Sequence, residues 1–341
     1  MKETVDRMPS ATNTATDPSP LESLQRDGFV IIPAFLPKTD PRFTTLRNAA
    51  TEATALARSG KWPYFRTVPK QFPPWPATAS EGGIWGVQHL LHPDLAGREE
   101  FARFYFSDGV LGIVEQLLLP DSSDGSDDAS DQEDDASDQE PLVMELLNLL
   151  VAPDGKDFQL RWHRDDIPST VSPDEELDLL HSKSPGGRQS HAQYNLALCE
   201  DDSLVVVPGS HRRVRSATES AADPYEPSLP GQVVVKLQPG DAVFYDSNIL
   251  HRGVYRGKKE GGVETRLTVH GSVGLRDKAA TDEDQIKARA RQVLQHGVGP
   301  WGRRNDAGFA GISGVGERAE RMRANLVAMG SGEGVGYSLD G

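Results

Sequence analysis

The pattern of apolar and polar positions sets the middle of the chain apart as strand-rich. Between positions 141 and 274, short apolar runs alternate with turn signals such as PGS and QPGD. Many short strands at this spacing are typical of a β-sandwich or barrel. The predicted strands lie at 142–152, 158–166, 191–198, 203–211, 231–237, 241–246 and 265–273.

Helical spacing of apolar positions dominates the regions on either side of these strands. An apolar run closed by prolines, 27–37, predicts one further strand, whereas the proline-rich stretch 61–76 is too interrupted for regular structure. The sequence therefore predicts a mainly β fold with flanking helices, in the α+β class. The predicted helices lie at 21–26, 43–59, 95–119, 280–296 and 316–329.

Three polar segments set the predicted domain boundaries. Residues 1–20 are rich in Ser, Thr, Pro and Asp and are predicted to form a disordered tail. Residues 121–140 carry ten acidic side chains and no Lys or Arg, and they contain the unit DDASDQE twice in tandem. Such a segment cannot fill a core, so it predicts a disordered surface insert. One domain remains over 21–275, followed by a helical extension, 276–341, that packs on the barrel or trails from it.

The charge and the cysteine content narrow the expected partners and location. The formal net charge is −15, which argues against nucleic acid and an anionic membrane as partners. Cys199 is the only cysteine, so an intrachain disulfide is excluded and a reducing compartment fits. The N-terminus lacks the apolar core of a secretory signal, and no apolar run approaches membrane-spanning length. A cytoplasmic protein is therefore expected.

Three side chains in the strand-rich region form a candidate metal site. Side chains two positions apart in an extended chain point to the same face, so His163 and Asp165 can share one ion. His251 follows 86 residues after Asp165, just after the apolar strand GDAVFYD and a short bend. Two imidazoles, one carboxylate and open coordination positions are the usual ligand set of non-haem iron(II) oxygenases. A His-x-Asp triplet alone is a weak signal, which on its own favours an ordinary packed histidine.

An arginine follows fifteen residues after His251, at the start of the strand RLTVHGSV. Arg266 shares a strand face with Thr268, and a guanidinium can bind a carboxylate through two parallel hydrogen bonds. Such a group suits the distal carboxylate of 2-oxoglutarate, with a surface cation as the alternative interpretation. Arg252 and Arg256 have the opposite parity to His251 and are predicted to face away from the metal.

Five separated motifs keep their order along the chain: DGFVIIPAFLP, WHRDD, VVVPGSH followed by two arginines, PGDAVFYDSNILHRG and RLT. With these motifs, residues 21–275 resemble the phytanoyl-CoA dioxygenase family, particularly its fungal members that act on small metabolites. The resemblance implies a double-stranded β-helix (jelly-roll or cupin-like) core that holds iron(II) and 2-oxoglutarate and uses O2. It assigns the iron to His163, Asp165 and His251, and the cosubstrate to Arg266 with Thr268.

The sequence departs from the family pattern at Leu160, where members often have a glutamine three residues before the first histidine. Polar groups that help to hold 2-oxoglutarate must then come from elsewhere, and Asn148, Gln193 and Asn195 on neighbouring predicted strands are the candidates. For each of them, a hydrogen bond at a strand edge or turn is an equally good interpretation. Four further histidines are not assigned to the iron, namely His89, His92, His211 and His270.

Two segments that precede the barrel, 61–76 and 84–92, are candidates to cover its mouth. Their aromatic side chains either line the substrate site or pack the lid against the barrel. A basic cluster suited to the phosphates of an acyl-CoA is not apparent before the barrel. The expected substrate is therefore a small metabolite, such as a natural-product intermediate or an amino acid derivative. The candidate substrate contacts are Phe65, Arg66, Trp85 and Arg161.

The sequence leaves several alternatives open. Hydroxylation, desaturation and ring closure are all compatible with the residues above. A metal-binding cupin-type protein, either an isomerase or a binding module, would keep the triad but have no need for Arg266. An interaction protein that works through its acidic repeat is a third reading, against which the intact ligand set argues. A homodimer is compatible with the sequence.

Overall fold

A computed structural model of the chain describes residues 18–73, 75–76, 78–79, 81–119, 140–183, 191–258, 264–276 and 289–330. The predicted N-terminal tail, apart from its last three residues, lies outside the described residues, as does the acidic insert up to Glu140. Among the helices of the described ranges, none is both long and apolar enough to cross a membrane.

Eleven strands form two antiparallel sheets in the described part of the chain. The large sheet has the order β1-β9-β6-β11-β4-β3-β2, and the small sheet has the order β5-β10-β7-β8. The strands are β1 Phe29–Ile32, β2 Phe65–Thr67, β3 Ile84–Val87, β4 Leu142–Val151, β5 Phe158–Gln159, β6 His191–Ala197, β7 Leu204–Val206, β8 Val233–Val234, β9 Ala242–Tyr245, β10 His251–Tyr255 and β11 Leu267–Leu275.

Helices flank the large sheet, as the sequence predicts. The predicted helix over 95–119 is two helices, because Ser107 accepts a hydrogen bond from the backbone N–H of Val110 and so caps a new helix. The α-helices are α1 Pro20–Asp27, α2 Pro41–Arg58, α3 Arg98–Tyr105, α4 Asp108–Leu118, α5 Pro173–Lys183, α6 Ala217–Ala221 and α7 Glu317–Met329.

Alternation along the strands gives the large sheet two different faces. In one row, Phe65 is paired with Val87, Val87 with Leu149 and Leu149 with Val269, and all four side chains are buried in the main apolar core that includes the helices. The intervening residues face the small sheet, where Val206 of β7 joins apolar side chains of β6 and β9 in a second core. Two packed antiparallel sheets of this kind, with helices on one outer face, form a jelly-roll fold.

Some predicted elements differ from the observed ones. The stretch 61–76, predicted to lack regular structure, contains β2, because Phe65 and Arg66 pair with β3 before the prolines that follow. The predicted strand 158–166 is regular only over β5, and its continuation pairs through a single bridge at His163. Helix α5 was not predicted, because its first turn is acidic and its few apolar residues follow helical spacing only weakly.

The C-terminal extension packs on the barrel over its described part. Helix α7 contacts β4, and Asn325 of α7 donates to the carbonyl oxygens of Glu140 and Leu142, both at 2.9 Å. Arg318 contacts the Glu140 carboxylate at 2.9 Å. Glu140 is therefore part of the folded domain, and the predicted end of the acidic insert at 140 is one residue too late. The predicted helix 280–296 lies partly outside the described residues.

Deleting residues 122–138 is expected to change the free energy of unfolding by less than about 1 kcal/mol, because shortening a polar connection between folded segments changes only a slowly varying closure entropy. Chemical denaturation measures this change. A deletion that extends through Glu140 is the matched comparison, and it should be clearly destabilising because it removes the buried carboxylate that pairs with Arg318. Equal, large losses in both variants would show that the insert itself stabilises the fold.

Candidate active site

The two histidines of the predicted triad are brought together by backbone pairing. His163 and His251 form an antiparallel bridge in which each backbone N–H donates to the other carbonyl oxygen at 3.0 Å. Their rings are 4.3 Å apart between centroids, and both residues are buried. Asp165, two positions after His163, lies on the same side, with Oδ1 3.4 Å from His163 Nε2 and 3.8 Å from His251 Nε2.

Both imidazoles are held with the same nitrogen free. His163 Nδ1 lies 2.8 Å from the carbonyl oxygen of Arg161, and His251 Nδ1 lies 2.8 Å from that of Ile249. A carbonyl accepts only, so each Nδ1 carries a proton and each Nε2 is the nitrogen that faces Asp165 and is left for a metal. Burial and the neighbouring His163 lower the pKa of His251 to about 4, so this ring is neutral as a metal ligand must be.

The carboxylate of the triad is ionised and accessible. Partial burial opposes the charge of Asp165, but its polar neighbours, among them the Gln193 amide that donates a hydrogen bond to it, hold its pKa below the ordinary value. About 33% of its side chain remains exposed. His163, Asp165 and His251 are the metal-binding cluster found in the described part, with ligand atoms within 4.8 Å of one another. Two imidazoles and one carboxylate fit iron(II).

Arg164, between the two ligands of the triplet, connects the ligand-bearing segments from behind. Its side chain is fully buried, and Nε lies 2.8 Å from Glu176. Nη1 donates to the carbonyl oxygens of Ser210 (2.9 Å) and of Asn248, which precedes His251 by three residues. One guanidinium therefore ties the strand of His163 to the bend that delivers His251.

Replacing Arg164 with methionine is expected to lower the free energy of unfolding, because it leaves Glu176 buried with a lost partner. Removing one partner of a buried ion pair costs about 3–5 kcal/mol, and since Arg215 also contacts Glu176 at 3.3 Å, we expect the lower end of that range. Urea denaturation of the metal-free protein gives the value. Arg42→Met is the control, because that side chain is 75% exposed in its ion pair. Equal effects of the two changes would contradict the role of Arg164.

Arg266 lies immediately before β11 with its guanidinium buried. Nε donates to Asp201 Oδ2 at 3.2 Å, and the ring of Tyr255 lies 4.4 Å from the guanidinium carbon. Burial opposes the charge of Arg266, yet Asp201 beside it raises its pKa. Nη1 is buried and has no hydrogen-bond partner among the described residues. A buried donor without a partner is costly, so this nitrogen is suited to an incoming carboxylate.

Thr268 shares the face of Arg266, as the alternation predicts. Its hydroxyl donates to Asp201 Oδ2 at 2.5 Å, the same oxygen that Arg266 contacts. A hydroxyl has one proton, so in this arrangement Thr268 donates its hydrogen bond to Asp201 and has none left to donate to a carboxylate of 2-oxoglutarate. Arg252 faces the opposite side and lies over the ring of Trp162 at 5.0 Å.

A row of polar side chains crosses the inner face of the large sheet. Asn148, His270 and Asn195 are direct neighbours on β4, β11 and β6, and His270 Nδ1 lies 2.9 Å from Asn195 Oδ1. Burial and the nearby charge of Arg66 lower the pKa of His270 to about 3, so its ring is neutral. Asn148 Oδ1 accepts from the backbone of His89 at 3.3 Å, whereas its Nδ2 has no partner within the described ranges. Asn148 therefore offers a free donor, while Asn195 holds His270.

The predicted substrate contacts on β2 and β3 do not all point the same way. The guanidinium of Arg66 lies 5.1 Å from the ring of Trp85, and Trp85 packs against Tyr255 of the small sheet at 5.4 Å between centroids. Both residues therefore lie between the sheets. Phe65 alternates with Arg66 and is buried in the main core on the helix side, 3% exposed.

The proline-rich stretch 61–76 reaches the metal ligands. The ring of Phe72 lies 6.4 Å from the ring of His163, and the guanidinium of Arg161 lies 5.4 Å from Phe72. The backbone N–H of Arg161 donates to Gln71 Oε1 at 3.0 Å, which fixes this stretch to the ligand strand. An aromatic ring and a cation therefore border the site beside His163.

Sequence reasoning missed the contribution of the C-terminal extension. Arg289 contacts both carboxylate oxygens of Glu145, at 2.8 and 2.9 Å, and its Nη1 lies 3.4 Å from Asp166, the neighbour of ligand Asp165. Ser247, before His251, donates to the same Asp166 at 2.7 Å. Partners as distant in sequence as 145 and 289 give no local signal from which this contact could be predicted.

A jelly roll that brings two histidines and one carboxylate together carries the usual ligand set of non-haem iron oxygenases. The family model of phytanoyl-CoA dioxygenase matches residues 24–254, which is most of the chain. The chain therefore belongs to the phytanoyl-CoA dioxygenase family. It is an oxidoreductase with iron and 2-oxoglutarate as its cofactors.

Several solved structures resemble the fold. EctD from S. alaskensis, solved with 2-oxoglutarate and 5-hydroxyectoine, is 17% identical, with 78% of this chain and 79% of that chain covered and a TM-score of 0.49. AviO1 from Streptomyces viridochromogenes is 19% identical, with 79% and 98% covered and a TM-score of 0.47. The epimerase SnoN, in complex with Fe3+, alpha ketoglutarate and nogalamycin RO, is 17% identical, with 75% and 82% covered and a TM-score of 0.43. A search of curated protein sequences finds no significant match.

Proposed function

We propose that this protein oxidises a small polar metabolite that carries an anionic group, in a reaction that consumes 2-oxoglutarate and O2 and releases succinate and CO2. The observation that carries the proposal is the combination of the His163, Asp165 and His251 triad with a buried arginine, Arg266, whose Nη1 has no hydrogen-bond partner among the described residues. A cupin-type isomerase or binding module needs the triad, but it has no use for that arginine.

The residues between the sheets have separable tasks in this proposal. His163, Asp165 and His251 bind iron, which together with 2-oxoglutarate and O2 supplies the oxidising power when bound. Arg266 holds the distal carboxylate of 2-oxoglutarate. Asn148 Nδ2, which has no partner in the part of the chain that the structure describes, donates to the other end of 2-oxoglutarate or to the substrate. Asp201 contributes indirectly, because it fixes Arg266 through Nε.

The substrate side is proposed from the positions of charge and aromatic surface. Two cations border the proposed substrate space: Arg66, over Trp85 between the sheets, and Arg161, over Phe72 beside His163. Their positive charge favours a substrate with an acidic group. The polar inner face around His270 favours a substrate that also carries hydroxyl, amine or carbonyl groups. Hydroxylation, desaturation and ring closure all follow from hydrogen removal, and they differ only in how the substrate is placed.

Anaerobic addition of Fe(II) and then 2-oxoglutarate to the purified protein tests the cofactor part of the proposal. The expected result is the weak visible charge-transfer band of the iron–2-oxoglutarate chelate, followed by slow succinate formation when O2 is admitted. A panel of acidic metabolites and their methyl esters is then screened for faster succinate release, and the free acids should be the active members. Iron binding without the band would favour the cupin-type alternative.

A further inference from the structure

The carboxylate of the metal triad presents its two oxygens to different partners. Oδ1 of Asp165 is the atom near both imidazoles, 3.4 Å from His163 Nε2 and 3.8 Å from His251 Nε2. Oδ2 accepts a hydrogen bond from Gln193 Nε2 at 3.0 Å. Because a carboxylate oxygen only accepts, the amide nitrogen must be the atom that faces it. One oxygen is therefore left for a metal and the other is occupied by the protein.

The sheet fixes the position of this amide. Gln193 lies in the middle of β6, paired with Ser272 of β11 on one side and with Tyr245 of β9 on the other, and it is 8% exposed. Because β6 is hydrogen-bonded to a strand on each side, the backbone that carries the Gln193 side chain has little freedom to move. The amide is therefore held in place whether or not a metal is bound.

The cross-strand neighbour of Gln193 supports the other side of the triad. The ring of Tyr245 packs edge-on against the imidazole of His251, with 5.6 Å between centroids. Tyr245 is also buried, at 5% exposure. Two adjacent side chains of the large sheet thus contact two metal ligands, Gln193 the carboxylate of Asp165 and Tyr245 the ring of His251.

We propose that Gln193 is a positioning residue of the metal centre, which holds Asp165 so that a single carboxylate oxygen faces the metal. An unrestrained carboxylate can bind a metal through both oxygens and would then occupy one of the positions that the cosubstrate and O2 require. The amide prevents this by engaging Oδ2. The inference rests on the proposed iron site, and it gives Gln193 a task on the metal ligand in place of the predicted contact to 2-oxoglutarate.

The test compares Gln193→Met, which keeps the length of the side chain but has no donor, with Ser272→Ala, which removes a polar atom from the paired position on β11. Anaerobic Fe(II) titration against a chromogenic chelator measures metal affinity, and the visible spectrum of the Co(II)-substituted protein reports the coordination number. Groups that orient a metal ligand typically contribute 10- to 100-fold to affinity, so Gln193→Met should weaken Fe(II) binding by roughly that factor and alter the Co(II) spectrum. Ser272→Ala should leave both unchanged.

Thermal unfolding of the metal-free variants separates positioning from a general loss of structure. Gln193→Met is expected to keep the unfolding temperature of the parent while losing affinity. If it does not fold, Gln193→Asn, which withdraws the donor by one methylene, is measured in its place with the same expectation. A folded variant with the parent Fe(II) affinity and Co(II) spectrum would overturn the inference. Failure of the proposed function gives a different result, in which the unmodified protein binds Fe(II) but shows no band with 2-oxoglutarate.

Discussion

Replacing His163 or His251 with alanine is expected to abolish iron retention. Each imidazole supplies one of three protein ligands, and its free Nε2 is fixed by the hydrogen bond from Nδ1 to a backbone carbonyl oxygen. Groups that only support a ligand already contribute roughly 10- to 100-fold to metal affinity. Losing a ligand itself should therefore weaken Fe(II) binding by more than about 100-fold.

Metal analysis after anaerobic reconstitution and gel filtration measures the effect. The matched control is His270→Ala, because His270 is a buried histidine of the same inner face whose Nδ1 is engaged by Asn195 and which is not one of the three clustered ligand residues. The control should keep the parent iron content. Iron at parent stoichiometry in both His163→Ala and His251→Ala would end the assignment of the metal centre.

Most of the fold is predictable because the strands of the large sheet alternate cleanly. Apolar residues such as Leu149 and Val269 lie on the face towards the helices, and polar residues such as Asn148 and His270 lie between them on the inner face. A shift of register by one residue would exchange these faces, so the pattern fixes the pairing strongly. The short strands β5 and β8, of two residues each, carry no such pattern, and their bounds were predicted too long.

The sequence predicts the metal ligands because their spacing is a local feature, but it does not predict the side chains that hold those ligands in place. His163 and Asp165 share a face through their spacing alone, but the partner that fixes Asp165, Gln193, lies 28 positions further along the chain on β6. In the same way Asp201 meets Arg266 across 65 positions of sequence. Contacts of this kind depend on how the two sheets pack, which hydrophobic periodicity does not encode.

Loss of the guanidinium of Arg266 is expected to weaken 2-oxoglutarate binding steeply while iron binding survives. The lost contact is a charge-assisted, buried hydrogen-bond pair, which is worth on the order of 2–4 kcal/mol, or roughly 30- to 1000-fold in affinity. Titration of the charge-transfer band of Arg266→Ala with 2-oxoglutarate measures this. Arg256→Ala is the control, because Arg256 is 65% exposed in its contact with Asp202 and should bind 2-oxoglutarate normally.

A second effect of the same change must be separated from the first. Arg266→Ala leaves Asp201 buried at 5% exposure without its cation, and breaking a buried pair costs about 3–5 kcal/mol of folding free energy. The double variant Arg266→Ala/Asp201→Asn removes both charges, so it should recover much of the lost stability while 2-oxoglutarate binding stays weak. If stability and affinity instead recover together, Arg266 acts on the cosubstrate only by keeping the fold intact. Normal 2-oxoglutarate affinity in the single variant would place the anchor elsewhere and favour the cupin-type alternative.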